Sequence, residues 1–536
     1  MADMPPQNAQ QLAPWAQKCL NWISRLGHPI VLSTVAASAI VLGARTTGSL
    51  QGLELGVYDQ MLRLRPAIKS DERILVVGID ETDIQVRGEW PIEDKTLAEL
   101  LQTLLAAEPR TIGLDFFRDV PIGEGQESLL NVIQTSDRIV PVCRMSGAEN
   151  PGVPPPRDIS DFQVGFADLV VDPGGILRRT LLVAQPAISS NISNGHICSD
   201  PNVQLFSLSL QLALQYLATD GINAEPTEDQ EIKLRDVVLH RLGPNIGGYR
   251  NVEATGYQLL LNFRSAQDAV PVVSLRDVLA GQVPAATIRD RVILVGATTP
   301  EAKDDFYTPY SGGLRDGQKM PGVIVHAQAV SQILSAVLDD RPLLWSWPTV
   351  GEGFWIILWA AGGALYAWYI RRPLGFTLGA FVLLSSLYGG CYFLLLQGGW
   401  IPIIPPALSL SLAAGGVILL DRFSKSDYGQ AVYKQMKSLL RLEIEIDQTI
   451  VGKQVSEITE TEYFSSLQQQ ARQLRKRSDA SNASDTSESP RDSQPSAELN
   501  TTQTNTQDDD DYFENLKQEA RRLKRNDSAQ SDNEDK

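Results

Sequence analysis

Histidine and cysteine are scarce, with four of each among 536 residues. Cys19, Cys143, Cys198 and Cys391 stand too far apart for zinc-ligand spacing, and they are too few for a dense disulfide scaffold. No GxxxxGKS/T loop, HExxH helix or GxSxG elbow occurs, so the nucleotide-cradling, zinc-protease and serine-hydrolase motifs are missing. Positive charge is short as well. Against 64 acids there are 47 Lys and Arg, a net charge of −17, which excludes the concentrated cationic surface that a nucleic-acid backbone requires. No histidine follows His326, so the C-terminal region offers no phosphoaccepting histidine. No metal and no cofactor is expected. Apolar residues at 43% of the chain are enough for a folded core, which excludes collagen and full disorder.

Those apolar residues are blocked. Ile30 to Ala44 is closed by Arg45; Val350 to Tyr369 lies between Trp345 and Trp347 on one side and Arg371 and Arg372 on the other. Leu374 to Leu396 has no charge, and Ile401 to Leu420 ends at Asp421, Arg422 and Lys425. Each is long enough to cross a hydrocarbon core of ~30 Å, so four transmembrane helices are predicted, at 28–46, 348–370, 374–396 and 401–420. The polar stretch of nearly thirty residues before the first span argues for an uncleaved anchor rather than a signal peptide. Lys18 and Arg25, Arg371 and Arg372, and Arg422 and Lys425 all fall on one side of a four-span arrangement. Both termini are therefore expected in the cytoplasm of a cell bounded by an inner (plasma) membrane, with 47–345 outside it. Taken as free of acid and base within the bilayer, the spans offer no ion path.

The outer segment reads as a mixed α/β domain. Ile74 to Ile79 is a buried-strand run, Asp94 to Ala107 has helical spacing, and Thr111 to Leu114 is a second strand. This strand–helix–strand unit predicts two neighbouring parallel strands joined by a right-handed crossover. Further strands are predicted at 139–142, 180–184, 237–242, 259–263 and 292–295, and helices at 206–216, 275–280 and 327–337. Asp80, Glu81 and Asp115 then stand at the carboxyl ends of strands, where loops converge on ligands in open α/β sheets. Thr298 and Asp304 follow a third strand, and the five are the candidate ligand-binding residues for an unidentified extracytoplasmic solute. Asp80 and Asp115 are also readable as helix N-caps. Arg178 and Arg179 are expected at a turn, exposed or paired to carboxylates, and His326 as a satisfied core histidine. Cys143 and Cys198 both fall in the outer segment, where a disulfide is chemically allowed.

Beyond the last span, 421–462 carries Leu439, Leu442, Ile446 and Ile450 at helical intervals, a juxtamembrane helix. The remainder, 463–536, is predicted mostly disordered, because 478–511 is polar and acidic with the single base Arg491. Two segments stand out of it. YFSSLQQQARQLR from Tyr463 and YFENLKQEARRLK from Tyr512 are identical at seven of thirteen positions and 49 residues apart. Phe464, Leu467, Ala471 and Leu474, with Arg472 following, give one amphipathic face; Phe513, Leu516, Ala520 and Leu523, with Arg521, repeat it. Helices this short are marginal alone, so the repeats at 463–477 and 512–526 are expected to fold on a cytoplasmic protein or on the inner membrane face.

Between Leu53 and Leu338 the outer segment resembles the CHASE2 domain, an extracytoplasmic sensory module of bacterial signalling proteins. The resemblance rests on YDQMLRLRP (58–66), GIDE (78–81), Trp90–Pro91, GLDFF (113–117), DPGGILRR (172–179), LNFR (261–264), VSLRDVLAG (273–281), VILVGAT (292–298), Thr308–Pro309 and PGVIVHA (321–327). It implies a sensor followed by three closely spaced spans, and usually a cytoplasmic kinase or cyclase. The sequence departs from that pattern in its short C-terminal region, and in Arg179–Thr180 where the family tends toward proline. Together these features predict a non-enzymatic membrane sensor whose tail recruits a partner, or else a constitutive membrane anchor. A homodimer is compatible with either.

Overall fold

A long apolar segment must satisfy its backbone polar groups internally, and a helix does so without help from neighbours. In the computed structural model, residues 28–148, 150–188, 195–311 and 319–426 are described, with 430, 431 and 466 besides. The N-terminal 27 residues, the juxtamembrane segment after 431 and, Ser466 apart, both tail repeats lie outside the described residues. The chain begins with α1 (Pro29–Thr46), whose proline occupies a first turn that needs no N–H, and α2 (Gln51–Leu64). Then come β1 (Ile74–Ile79), α3 (Glu81–Arg87), α4 (Asp94–Ala106), β2 (Thr111–Leu114), α5 (Gln126–Gln134), β3 (Ile139–Cys143) and β4 (Gly165–Phe166). A second part holds β5 (Arg179–Ala184), β6 (Leu205–Phe206), α6 (Leu208–Ala218), β7 (Ala224–Pro226), β8 (Ile232–Leu234), β9 (Val237–Leu239) and β10 (Tyr257–Leu260). The chain returns through β11 (Val272–Ser274), α7 (Leu275–Leu279), α8 (Ala285–Ile288) and β12 (Val292–Ala297). The ribbon β13 (Asp305–Phe306) and β14 (Met320–Pro321) leads into α9 (Gly322–Leu338), followed by α10 (Thr349–Tyr369), α11 (Pro373–Leu396) and α12 (Ile404–Lys425).

The main sheet is parallel, in the order β11-β1-β12-β2-β3-β4. Alternate residues serve opposite faces. Ile74, Val76, Val292 and Leu294 join the core that includes α6 and α9, whereas Leu75, Val77, Ile293 and Val295 join the core that includes α4, α5 and α7. A sheet covered on both faces needs continuous apolar strands, and every residue of β1 and β12 is buried. The segment between α1 and α10 is thus mixed α/β, with a three-layer part and smaller antiparallel sheets β10-β5-β6 and β7-β8-β9.

One expectation fails here. β1 and β2 are parallel but not neighbours, because β12, from far along the chain, pairs with both. A right-handed crossover fixes handedness, not adjacency. The longer, fully apolar VILVGA run takes the central place, where burial gains most. Four helices, α2, α3, α5 and α8, have no counterpart among the helices expected from the sequence, and α9 begins at Gly322 rather than near Ala327.

Among the described residues four helices, α1, α10, α11 and α12, are long and apolar enough to cross a membrane. α1, α10 and α12 meet through Ala37, Ala360, Ala364, Ala413, Ala414 and Val417, small side chains that let helices approach closely. α11 instead packs through Leu387, Cys391 and Leu395 in a cluster with Leu55, Tyr58, Met61 and Trp400. The spans are not free of acid. Glu352 lies in the first turn of α10, buried, where it accepts from Arg45 of α1 and, at 3.1 Å, from Arg250 of the α/β domain. An acid at a span end is tolerated because two guanidinium groups compensate it there.

Candidate functional site at the sheet edge

β1 ends at Ile79, and Asp80 caps α3. Its Oδ1 accepts from the Asp83 N–H at 2.8 Å, while the Asp80 N–H donates to Asp83 Oδ2 at 3.0 Å. Arg276 Nη1 donates to both Asp80 oxygens, at 2.8 and 2.9 Å, and to Asp83 Oδ1 at 3.1 Å. Burial pushes the Asp80 carboxyl up, but the Asp83 N–H and Arg276 outweigh it and hold the group below the ordinary carboxylate range. Glu81 is exposed and accepts from Thr299 Oγ1 at 3.2 Å and from Gln85 at 2.9 Å. Thr298, just past β12, lies over Gly78, where an added Cβ would come within 2.8 Å of its Oγ1.

Asp115 behaves differently. Its N–H donates to the Val295 carbonyl at 2.8 Å, no helix follows it directly, and among the described residues no hydrogen bond reaches its carboxyl. Burial pushes that carboxyl up to about 7. Asp304 is pushed up to about 6, by burial first and then by the Asp115 charge. Its carboxylate lies over the first residue of α9, where a Cβ on Gly322 would collide with Oδ2. Around the pair stand His326 and Asp168. Burial pushes the His326 ring down to about 4, while Asp304 and a hydrogen bond with the Ala167 backbone oppose it; Nδ1 lies 3.0 Å from Ser209 Oγ. Asp168 is raised by burial and accepts from the Met145 N–H at 2.9 Å.

Of the five candidates, then, the fold brings Asp115 and Asp304 into one field and sets Asp80 and Glu81 on the far side of β12, engaged with Arg276 and Thr299. The two readings of the aspartates divide, with Asp80 a cap and Asp115 not. Burial thus disfavours the charged form of both carboxyls, and the Asp115 charge adds to the effect at Asp304. No group of three or more His, Cys, Asp or Glu suited to a metal ion occurs among the described residues.

A carboxyl raised in the folded state binds its proton more tightly there than in the unfolded chain. Its stabilising contribution is full below the unfolded value of about 3.8 and is lost as pH rises through about 7. Asp115→Asn removes that loss. Its thermal midpoint should gain on that of the original protein as pH increases from about 4 to about 7. A constant difference across that range would show Asp115 to be unperturbed.

Arg178 and Arg179 are paired to carboxylates, one of the two outcomes expected for them, but sequence reasoning missed the buried carboxylates that hold them and the contact of Glu54 with a membrane-length helix. Arg178, buried, donates Nε and Nη2 to Asp59 of α2, both at 2.7 Å, and Nη1 to Asp172 at 2.6 Å. Asp172 also accepts from Arg179 Nε at 2.9 Å and the Tyr249 hydroxyl at 2.7 Å. Arg264 reaches Asp71 at 3.1 Å and Ser331 at 2.9 Å. Glu54 of α2 is buried and accepts the N–H groups of Ile403 (3.0 Å) and Ile404 (2.8 Å), where α12 starts. Trp400 packs beside it against Tyr58, with the rings tilted by 35° and their centroids 4.3 Å apart. The signal for several of these was present, since Asp59, Asp172, Arg178, Arg179 and Arg264 sit in the blocks YDQMLRLRP, DPGGILRR and LNFR.

The profile of the CHASE2 domain matches residues 36–365. The chain belongs to the CHASE2 domain family. The match extends past the α/β domain on both sides, into α1 and most of α10, so the CHASE2 region includes the span ends that carry Arg45 and Glu352. No curated protein and no solved structure matches the chain. A CHASE2 domain on four apolar helices makes this a multi-pass membrane sensor.

Proposed function

We propose that this CHASE2 sensor is a receptor with no catalytic activity of its own, which reads a small polar solute or an envelope condition at the Asp115–Asp304 edge. The change passes through α2 to the membrane helices and on to a cytoplasmic tail, whose two repeats recruit a partner. The observation that carries the relay is the Glu54 contact. A helix N-terminus has orphan N–H groups, and a carboxylate on α2 takes two at the head of α12, so motion of α2 is felt by the span leading to the tail. The placement of Lys and Arg, and a disulfide in the segment assigned outside, support an extracytoplasmic domain and cytoplasmic termini at the inner (plasma) membrane.

Glu54→Ala tests the relay. It strands two N–H groups, at an expected cost of about 1–3 kcal/mol for each that stays unsatisfied. In nanodiscs it should change the rate of trypsin cleavage at Arg472–Arg477 and Arg521–Arg525 severalfold, with Glu54→Gln, which keeps an acceptor, in between. A destabilised variant with unaltered cleavage would instead mark the chain as a constitutive anchor.

A further inference from the structure

We propose that a cleft where the outer domain meets the membrane helices binds a phosphate-class oxyanion, held by the guanidinium groups of Arg341 and Arg65. The cleft, about 260 Å³, is lined by Arg65, Pro66, Asn262, Arg341, Leu395 and Leu396, among others. Arg65 follows the last residue of α2, Arg341 lies between α9 and α10, and Leu395 and Leu396 end α11.

The two arginines are oriented by neutral oxygens only. Arg65 Nη1 donates to Asn262 Oδ1 at 2.6 Å, and Nη2 to the Phe263 carbonyl. Arg341 Nη2 donates to the Asn262 carbonyl at 2.7 Å, the Phe263 carbonyl at 3.1 Å and Asn262 Oδ1 at 3.2 Å. That leaves Arg341 Nε and Nη1 and Arg65 Nε shielded from solvent with no acceptor among the described residues. Neither arginine forms an ion pair among the described residues. Asp71, which acts weakly on Arg341, is already engaged by Arg73 at 2.7 Å, Arg264 at 3.1 Å and Ser331 at 2.7 Å. The surplus of positive charge registers on Arg341, which burial first and then Arg65 and Arg264 push down to about 9.

Unsatisfied, desolvated guanidinium donors are costly, and their planar cationic fork matches tetrahedral oxyanions better than any neutral group. Chloride offers one centre and little directionality; phosphate offers several acceptor oxygens. Two sources fit. Leu395 and Leu396 extend the cleft onto the surface of a membrane-spanning helix, as the headgroup phosphate of a phospholipid would need, and inorganic phosphate would arrive from the aqueous side. Occupancy would tie the end of α2 to the exit of α9 beside the turn between α11 and α12. The inference does not depend on the relay through Glu54, because it is read by binding alone.

The full chain, exchanged into detergent and stripped of lipid, should gain about 2–4 °C in thermal midpoint with saturating sodium phosphate, with phosphatidylglycerol, or with both, relative to sodium chloride of equal ionic strength or to diacylglycerol. A shift with inorganic phosphate alone assigns an aqueous source, and one with the lipid alone assigns the membrane. Arg341→Gln should abolish the shift. Leu396→Trp, which keeps both arginines and fills the cleft from its membrane side, should abolish it as well. An equal shift in chloride and diacylglycerol, no shift with either phosphate source, or full shifts retained in both variants would overturn the site.

Discussion

Arg178→Met should destabilise the protein by about 3–5 kcal/mol, a large part of the stability of an ordinary domain. Arg178 is the shared partner of Asp59 and Asp172, all three nearly removed from solvent, with side-chain exposures of 5%, 7% and 1%. Removing the cation leaves Asp59 without an ion pair among the described residues and Asp172 with Arg179 and Tyr249. The low dielectric that strengthens the triad also raises the cost of an uncompensated carboxylate. Arg276→Met is the contrast. Its pair with Asp80 has both side chains 39% exposed and is screened by solvent, so although Arg276 also reaches the buried Asp83, its loss should be clearly the smaller. Denaturant unfolding of the two variants in detergent, followed by tryptophan fluorescence, gives the comparison. Equal losses would mean that the Arg178 network is no more than a surface pair.

Removing the disulfide should be nearly as severe. Cys143 of β3 and Cys198 are bonded, Cα atoms 6.4 Å apart, across a separation of 55 residues. Closing a loop of that length restricts the unfolded chain by up to ~4 kcal/mol on the chain-entropy account. Cys143→Ala with Cys198→Ala, small apolar replacements suited to a buried cluster, should lower the unfolding free energy toward that limit. The bond also reports location, because disulfides persist in oxidising compartments. Protein taken from membranes, denatured without reductant and treated with a maleimide mass tag should take the tag at Cys19 and Cys391 and at no other cysteine. Tagging of Cys143 and Cys198 would place the CHASE2 domain in a reducing compartment and undo the assigned orientation.

Where the folding signal is local, the sequence carried it. β1 and β2 coincide with the apolar runs at 74–79 and 111–114, and α4 with the Leu97, Leu100, Leu101 and Leu104 stripe. The family blocks, too, are legible in the sequence alone. Asp80 shows the limit. Its rank as a ligand residue came from its place after a strand, yet its occupation by Arg276 depends on a residue 196 positions away. Asp115, in the equivalent place after β2, has no helix to cap, and its charge instead acts on Asp304.

The sequence by itself determined the four apolar spans, the strand-and-helix alternation of the domain between the first two and its CHASE2 membership, because burial imprints a short period on the chain and length sets what can cross a bilayer. Only the tertiary structure decided that β12 divides β1 from β2, that Arg178 holds Asp59 and Asp172, that Cys143 meets Cys198, and that Glu54 receives the head of α12 from 349 and 350 residues away. Period and composition describe each segment's own need for burial. Which distant polar group satisfies which is fixed by how all the segments pack at once, and a single chain of letters does not record that.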